Sequence, residues 1–147
     1  MNIAIGADHS GFECKAYLQQ YVVGAQDPIA WIDVGAINAE PSHYPLFAQA
    51  VCETILRGEA ERGVLICGSG IGMSIVANRY PKIYAGLAWD EDVAKISHEH
   101  DNTNVLVLPA SFITLEDATK IVNAWLGAKF KGGHYQERVD LIDQIKI

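Results

Sequence analysis

The sequence has 147 residues, half of them hydrophobic and 20% charged, with a formal net charge of −7. This size and composition predict one globular domain over residues 1–147. The acidic balance argues against nucleic acid or an anionic membrane as the main partner, and no apolar run approaches the roughly 20 residues that span a bilayer. The first residues carry neither a basic region nor a long apolar segment, so we expect no signal peptide and a cytoplasmic location.

Short apolar runs alternate with longer amphipathic stretches, which indicates five β-strands separated by helices. The predicted strands cover residues 2–7, 29–34, 63–66, 83–88 and 104–108. The predicted helices cover residues 12–23, 44–57, 73–80, 91–100 and 114–126, followed by an amphipathic segment at 134–146. This alternation predicts an α/β fold, a Rossmann-like α/β/α sandwich with a five-stranded parallel sheet and a C-terminal helix. The order of the strands does not follow from the pattern.

Residues with special backbone preferences mark the ends of several helices. Pro45 suits the first turn of the second helix, and Pro81 is expected to end the third. Asp90 is positioned to cap the fourth helix. Thr114 and Asp117 have the spacing of a capping box at the start of the fifth.

A glycine-rich segment follows the third predicted strand. Cys67 ends the apolar run 63–66, and Gly68, Gly70 and Gly72 alternate with other residues before the next helix. We call residues 67–72 the cradle, because a strand that enters a helix through such a turn offers backbone N–H groups to an anion or a developing oxyanion. A thiol beside the cradle forms a thiolate readily and can act as a nucleophile or a base.

Two other interpretations of the cradle stay open at this stage. Its spacing differs from that of a dinucleotide-binding fingerprint, and it follows the third strand and not the first. Asp90 nevertheless lies about 20 residues further on, where a ribose ligand is expected. The glycines can also serve only the close packing of a helix against the sheet.

Polar residues follow two other predicted strands. Asp8 and His9 come after the first strand, and Trp89 with Asp90 after the fourth. Ligands of open parallel sheets bind at the carboxyl ends of the strands, so we expect these groups to face the cradle. The alternative is that Asp8 only caps the next helix and that His9 is a bystander.

His98 and His100 lie at the end of the fourth predicted helix. Two residues apart on a helix, they point away from each other, which argues against a shared metal. The end of this helix belongs at the sheet edge opposite the cradle, so His100 can reach a cradle only as a residue of a partner subunit. A functional His100 therefore implies a homodimer with shared sites. Otherwise it is a histidine that interacts with the helix dipole.

The densest basic cluster of this acidic chain is the segment 129–138. His134 and Arg138 are four residues apart, share a helix face and can hold a phosphate together. The alternative is a solvated helix face.

The three cysteines show no metal-binding spacing. Cys14 and Cys52 fall inside helical patterns, where small buried apolar residues are expected. An odd number of cysteines without obvious pairing suits a reducing compartment.

Several motifs of the chain are together similar to one family. They are Asp8-His9 with Gly11-Phe12, Tyr44-Pro45, the cradle with Met73-Ser74 and Ala77-Asn78, Thr103-Asn104-Val105, Ala124-Trp125-Leu126, Gly132-Gly133 and Arg138-Val139. In this order, and over nearly the whole chain, they resemble ribose-5-phosphate isomerase B and the wider group that includes the galactose-6-phosphate isomerase subunits.

The resemblance implies a Rossmann-like homodimer, sometimes a tetramer, with active sites at the subunit interface and with neither a metal nor an organic cofactor. The implied reaction interconverts an aldose phosphate and its ketose through a cis-enediol. Ribose 5-phosphate and ribulose 5-phosphate, of the pentose phosphate pathway, are the default pair.

The resemblance also implies roles for individual residues. Cys67 is the base that moves a proton between C2 and C1, and Ser69 helps to move the hydroxyl proton. His100 of the partner subunit opens the furanose ring, with Asp8 nearby, and the backbone of the cradle stabilises the enediolate. The residues expected to bind the substrate are His9, Tyr44, Gly68, Gly70, Ile71, Gly72, Asp101, His134 and Arg138.

Four positions depart from the family pattern. The family commonly has arginine at the positions of Ser111 and His134, usually also at His98, and asparagine at Asp101. Fewer cations and an added anion should weaken the binding of a phosphate group. The sequence therefore also allows a different or unphosphorylated sugar, or a protein that binds phosphosugars or nucleotides without catalysis.

Overall fold

The computed structural model describes residues 1–24 and 26–146. Its strands are β1 (Asn2–Ala7), β2 (Ala30–Asp33), β3 (Arg62–Cys67), β4 (Ala85–Leu87) and β5 (Val105–Pro109). Its helices are α1 (Phe12–Tyr21), α2 (Tyr44–Leu56), α3 (Ile71–Ala77), α4 (Glu91–Asp101), α5 (Leu115–Gly127) and α6 (His134–Asp143). Within the two described ranges, no helix combines the length and apolar character needed to cross a membrane.

The five strands form one parallel sheet in the order β2-β1-β3-β5-β4. Ile5 of β1 pairs with Val64 of β3, which pairs in turn with Leu106 of β5. Parallel neighbours require crossover connections, and α1 to α4 supply them. The predicted α/β fold with a five-stranded parallel sheet and a C-terminal helix is confirmed.

Side chains of each strand alternate between two hydrophobic clusters, one on each face of the sheet. Ile3 and Ile5 of β1 belong to the cluster covered by α1 and α5, which contains the fully buried Trp125. Ala4 points to the other face, covered by α2 and α3. Small residues on that face let α2 approach closely, since a Cβ at Gly63 would lie 2.5 Å from a methyl group of Val51.

Two predicted boundaries are wrong around the cradle. The third helix was expected at 73–80 with Pro81 at its end, but α3 is Ile71–Ala77. The helix ends early because the side chain of Asn78 is bonded to the backbone of Ala85. It accepts a hydrogen bond from the Ala85 N–H (2.8 Å) and donates one to the Ala85 carbonyl oxygen (3.0 Å). Pro81 therefore lies in the loop that follows.

β4 is also shorter than the predicted strand 83–88. Asn104 replaces part of the strand pairing, because its side chain accepts a hydrogen bond from the N–H of Tyr84 and donates one to the carbonyl of Lys82, each at 2.9 Å. The predicted caps are present: Asp90 accepts from the N–H of Val93, and Thr114 forms a capping box. The first and last helices end sooner than predicted, at Tyr21 and Asp143.

The direction of the elements defines two edges of the sheet. We call the edge where the strands end the carboxyl edge and the opposite one the amino edge. The crossover helices run back against the strands, so α4 begins at the carboxyl edge with its cap Asp90 and ends at the amino edge with Asp101, just before β5.

Candidate active site

The strand order reverses between β1 and β3. From β1 the chain continues to β2 on one side, whereas β3 lies on the other side of β1 and is followed outward by β5 and β4. A reversal of this kind opens a crevice at the carboxyl edge. Asp8 follows β1 and Cys67 ends β3, so both residues flank this crevice.

Asp8 is buried and holds the turn that follows β1. Its Oδ1 accepts hydrogen bonds from the N–H groups of Ser10 (3.0 Å) and Gly11 (3.3 Å), and its own N–H donates to the carbonyl of Ile66 (3.3 Å). The turn requires glycine at position 11, because a Cβ there would lie 2.6 Å from the Ile66 carbonyl oxygen. Asp8 thus shapes the loop through Oδ1, while Oδ2 takes no protein hydrogen bond in the described ranges.

His9 is fixed by a segment that follows β2. The N–H of Ser42 donates to Nδ1 of His9 (3.1 Å), and the N–H of His9 donates to Oγ of Ser42 (3.1 Å). Since Nδ1 accepts a hydrogen bond, the neutral imidazole carries its proton on Nε2. His9 therefore presents an N–H donor at the carboxyl edge.

Cys67 differs from the other cysteines in what faces its sulfur. The N–H of Gly70 donates a hydrogen bond to its Sγ at 3.2 Å. Burial, and to a smaller extent the charge of an adjacent glutamate, raises the pKa of the Cys14 thiol and of the Cys52 thiol to about 12. These two remain thiols at neutral pH, so Cys67 is the cysteine suited to proton transfer.

The backbone of the cradle has a conformation that only glycine adopts easily. Gly70 has a φ of 75°, and a Cβ there would lie 2.5 Å from Cδ1 of Leu87. The N–H of Ile71 donates to Oγ of Ser69 at 3.2 Å. The N–H groups of Gly68 and Ser69 have no acceptor in residues 1–24 and 26–146, which makes them available to an oxyanion.

Tyr44 lies against the cradle because Gly72 leaves room for its ring. A Cβ at Gly72 would lie 2.4 Å from Cζ of Tyr44 and 2.7 Å from its hydroxyl oxygen. Tyr44 begins α2 with Pro45 in its first turn, as predicted. The phenol hydroxyl therefore sits beside the start of α3.

Two serine hydroxyls border the cradle on its other side. A Cβ built on Gly68 would lie 3.2 Å from Oγ of Ser111 and 3.8 Å from Oγ of Ser10. The N–H of Ser111 also donates to the carbonyl of Gly68 at 3.0 Å. Ser111 thus belongs to the carboxyl edge, next to the crevice.

The remaining predicted site residues form a second group at the amino edge. The rings of His100 and Tyr135 stack with centroids 4.3 Å apart and an interplanar angle of 11°. His134 lies 4.1 Å from the same ring and the guanidinium of Arg138 lies 5.7 Å from it. We call these four residues the α4–α6 cluster. Asp101 follows His100 and lines a neighbouring cleft of about 560 Å³ together with Lys82.

Comparison with known proteins identifies the relatives of the chain. Residues 3–142 match the family described as ribose/galactose isomerase. Ribose-5-phosphate isomerase B of Escherichia coli is 39% identical over 144 residues, which cover 98% of this chain and 95% of that protein. The crystal structure of a ribose 5-phosphate isomerase of Thermotoga maritima superposes with a TM-score of 0.93 at 41% identity and covers 98% of each chain.

A further similar structure is ribose-5-phosphate isomerase B of Mycoplasma genitalium with bound ribulose-5-phosphate. It superposes with a TM-score of 0.88 at 34% identity, covering 97% of this chain and 94% of that one. This chain belongs to the ribose/galactose isomerase family. Membership of the ribose/galactose isomerase family confirms the predicted resemblance and makes the protein an isomerase.

Asp90 and His98 both make defined side-chain contacts within this ribose/galactose isomerase family member. Asp90 caps α4, because its Oδ1 accepts a hydrogen bond from the N–H of Val93 at 2.8 Å. His98 is buried, with Nδ1 2.9 Å from the Thr103 carbonyl oxygen and Nε2 3.1 Å from Nη2 of Arg62. Both ring nitrogens of His98 thus face protein groups, which favours a role in packing.

Three residues of the site region were missed by the sequence analysis. Ser10 followed Asp8 and His9 in the same loop, which was a usable signal. Tyr135 stood between His134 and Arg138 on one helix, which also could have suggested a contact. Ser42 had no signal, because its bond to His9 joins residues 33 positions apart.

Proposed function

We propose that this protein interconverts an aldose phosphate and its ketose through a cis-enediol, with ribose 5-phosphate and ribulose 5-phosphate as the substrate pair. The observation that carries the proposal is the Cys67 sulfur facing the N–H of Gly70 in a loop with further N–H donors. The Mycoplasma genitalium relative, whose structure contains ribulose-5-phosphate, supports the choice of sugar.

The proton transfer uses groups of the carboxyl edge. The thiolate of Cys67 removes the proton from C2 of the open-chain aldose, a C1–C2 double bond forms, and the carbonyl electrons move onto O1. Ser69 relays a proton from the O2 hydroxyl to O1, and the thiol of Cys67 then protonates C1 as the carbonyl forms at C2. The N–H groups of Gly68 and Ser69 stabilise the enediolate, and one such donor contributes about 3 kcal/mol in an oxyanion hole.

Opening of the furanose ring precedes this transfer. His100 of the partner subunit takes the proton of the O1 hydroxyl while the C1–O4 bond breaks, and the imidazolium that forms then gives this proton to O4. Asp8 is suited to accept a hydrogen bond from a nearby sugar hydroxyl through its unused Oδ2. The ring of Tyr44 borders the sugar beside Gly72.

A homodimer would unite the two halves of this site. Within one chain the cradle lies at the carboxyl edge and His100 at the amino edge, so a two-fold partner would have to bring one to the other. Exposed apolar side chains at both regions favour such a contact. They are Leu46, Ile71, Ile75 and Phe112 around the cradle and Leu141, Ile142 and Ile145 near the end of the chain.

The phosphate group would be held by neutral donors and by a cation of the partner. His9 offers its Nε2–H, the partner subunit's Arg138 supplies the charge, and the partner subunit's His134 offers a ring nitrogen. The hydroxyls of Ser10 and Ser111 at Gly68 would complete the contact.

A second candidate is an isomerase of an unphosphorylated or different sugar. It is favoured by the two serine hydroxyls at Gly68, because neutral hydroxyls bind a terminal sugar hydroxyl as well as a phosphate oxygen. Their uncharged character would reduce the preference for a phosphorylated substrate.

The proposal also covers the domain organisation of the enzyme and its cellular compartment. The family match over residues 3–142 supports a single isomerase domain. Its three free thiols suit the reducing cytoplasm.

An isomerisation assay over pentoses and hexoses, each with and without a phosphate, tests the substrate. We expect the highest kcat/KM with ribose 5-phosphate. A higher kcat/KM with an unphosphorylated sugar or with another sugar phosphate would favour the second candidate, and no turnover with any sugar would contradict both.

A further inference from the structure

Tyr135 is the one member of the α4–α6 cluster whose ring contacts all the others. Its centroid lies 4.3 Å from that of His100 and 4.1 Å from that of His134, and 5.7 Å from the Arg138 guanidinium carbon. Near-parallel stacking at 11° on one side and a cation over the ring are both attractive arrangements. The cluster is therefore organised around this phenol.

The ring of His100 lacks the hydrogen bonds that hold the rings of His9 and His98. His9 is fixed by the N–H of Ser42, and His98 by Thr103 and Arg62. The imidazole of His100 forms no hydrogen bond with any residue of 1–24 and 26–146. Its ring orientation is set by the face of Tyr135.

The approach of α6 to α4 explains how Tyr135 reaches this position. Gly132 and Gly133 have positive φ angles of 64° and 57°, and they turn the chain into α6. The N–H of Lys131 donates to the carbonyl of Glu99 at 3.0 Å, and its Nζ lies 3.4 Å from that glutamate's Oε2. The turn is thus anchored at the residue that precedes His100.

We infer that Tyr135 is a positioning residue that orients the imidazole of His100 and joins it to the proposed phosphate-binding residues His134 and Arg138. This inference rests on the proposed function, in which the partner subunit's His100 opens the sugar ring. Because Arg138 and His100 share one aromatic support, a phosphate bound by Arg138 also restrains the ring-opening imidazole. Tyr135 acts through these neighbours and transfers no proton itself.

Two substitutions of Tyr135 test the inference. Tyr135→Leu removes the aromatic face, and Tyr135→Phe keeps it. With ribose 5-phosphate we expect kcat to fall about 100-fold in Tyr135→Leu and to stay within about twofold in Tyr135→Phe. If Tyr135→Leu does not fold by circular dichroism, Tyr135→Gln carries the same expectation.

Proton NMR measures the chemical shift of the His100 ring, which a general loss of stability would not change. The ring current of Tyr135 should displace the Hε1 signal of His100 in the wild type and in Tyr135→Phe. The displacement should vanish in Tyr135→Leu, while the signal of His98 stays in place. An unchanged kcat in Tyr135→Leu, or an equal loss in both variants, would overturn the inference.

The His100→Ala variant separates this inference from the proposed function. If His100→Ala retains full activity, the ring-opening role is wrong, and the inference that rests on it falls too. If His100→Ala is inactive while Tyr135→Leu matches the wild type, only the role of Tyr135 is wrong.

Discussion

At the scale of single residues, the contacts of each sulfur distinguish the three cysteines. Cys52 is fully buried and Cys67 is 5% exposed, so both are core residues by burial. Cys67 nevertheless faces an N–H group of the cradle, whereas burial raises the pKa of Cys52 to about 12. The same substitution at the two positions therefore has different consequences for activity.

Cys67→Ala is expected to lower kcat by about 10² to 10⁴-fold, because it removes the proposed proton-transfer base. Its unfolding free energy should fall by only about 1 kcal/mol, since one buried sulfur is lost. Cys52→Ala is the matched control and should keep the wild-type kcat. Steady-state kinetics that find comparable rates for Cys67→Ala and Cys52→Ala would reject Cys67 as the base.

Gly70→Ala tests the backbone of the cradle. A φ of 75° costs an alanine about 1–2 kcal/mol, and its Cβ would also meet Leu87 at 2.5 Å. Displacement of the Gly70 N–H from the Cys67 sulfur should lower kcat in addition.

Gly58→Ala provides the comparison for Gly70→Ala. Gly58 has a φ of 78°, and a Cβ added there would meet nothing within 4 Å, so only the backbone cost applies. Urea unfolding should show the smaller loss of stability for Gly58→Ala, and its kcat should equal that of the wild type. Equal losses of stability and activity in both variants would contradict the proposed packing of the cradle.

At the scale of elements, the end of α4 is held by a buried polar network. Burial, with a smaller contribution from the charge of Arg62, lowers the pKa of His98 below its usual value. Trp125 donates to the Thr103 hydroxyl at 3.0 Å, and the Thr103 carbonyl lies 2.9 Å from Nδ1 of His98. The network joins α4 and α5 two residues before His100.

The lowered pKa of His98 predicts that stability decreases in acid. Below about pH 6.5 the unfolded chain binds a proton at His98 before the folded protein does. The unfolding free energy should therefore fall with decreasing pH, by at most about 1.4 kcal/mol per pH unit, until the folded protein also protonates His98. Denaturant unfolding at pH 7.5 and 5.5 measures the effect.

His98→Asn is the control for this pH dependence, because its amide can still donate to Thr103 but does not titrate. The variant should lose less stability than the wild type between the two pH values. An identical loss would assign the effect to other groups.

The element pattern was predictable from local signals, but details that depend on distant contacts were not. The capping box at Thr114 and the cap at Asp90 lie next to the residues they bond, so they could be recognised from spacing. The early ends of α3 and β4 depend on the side chains of Asn78 and Asn104, whose partners are brought near only by the fold. Strand order is likewise a tertiary property.

The same distinction applies to the site. Cys67 and its glycines are contiguous, so the cradle could be predicted from composition and spacing. The fixing of His9 by Ser42 and of His100 by Tyr135 joins segments that are separate in sequence. Their pairing required the structure.

At the scale of the whole molecule, the two groups of site residues lie at opposite edges of one sheet. The strands and α4 impose this separation, because the helix must run from the carboxyl edge to the amino edge. A complete site would then take its cradle from one subunit and its His100 from another.

Mixing two inactive variants tests this arrangement. Cys67→Ala and His100→Ala should each be inactive as homodimers, but a mixed dimer contains one site with both residues intact. After free subunit exchange of equal amounts, about a quarter of the wild-type activity should return. A mixture of Cys67→Ala and Cys67→Ser should recover nothing, and the absence of recovery in the first mixture would place both residues in one chain.

The separation of Cys67 from His100 also has a consequence for cells that make both a normal and an altered subunit. In the proposed dimer with shared sites, a subunit altered at only one of the two positions would inactivate one site when paired with a normal subunit and would leave the other intact. A subunit altered at both positions would inactivate both sites, because each site would take one residue from it. In a cell that makes equal amounts of normal and damaged subunits, either lesion alone should leave about half of the sites intact, whereas both lesions in one allele should leave about a quarter.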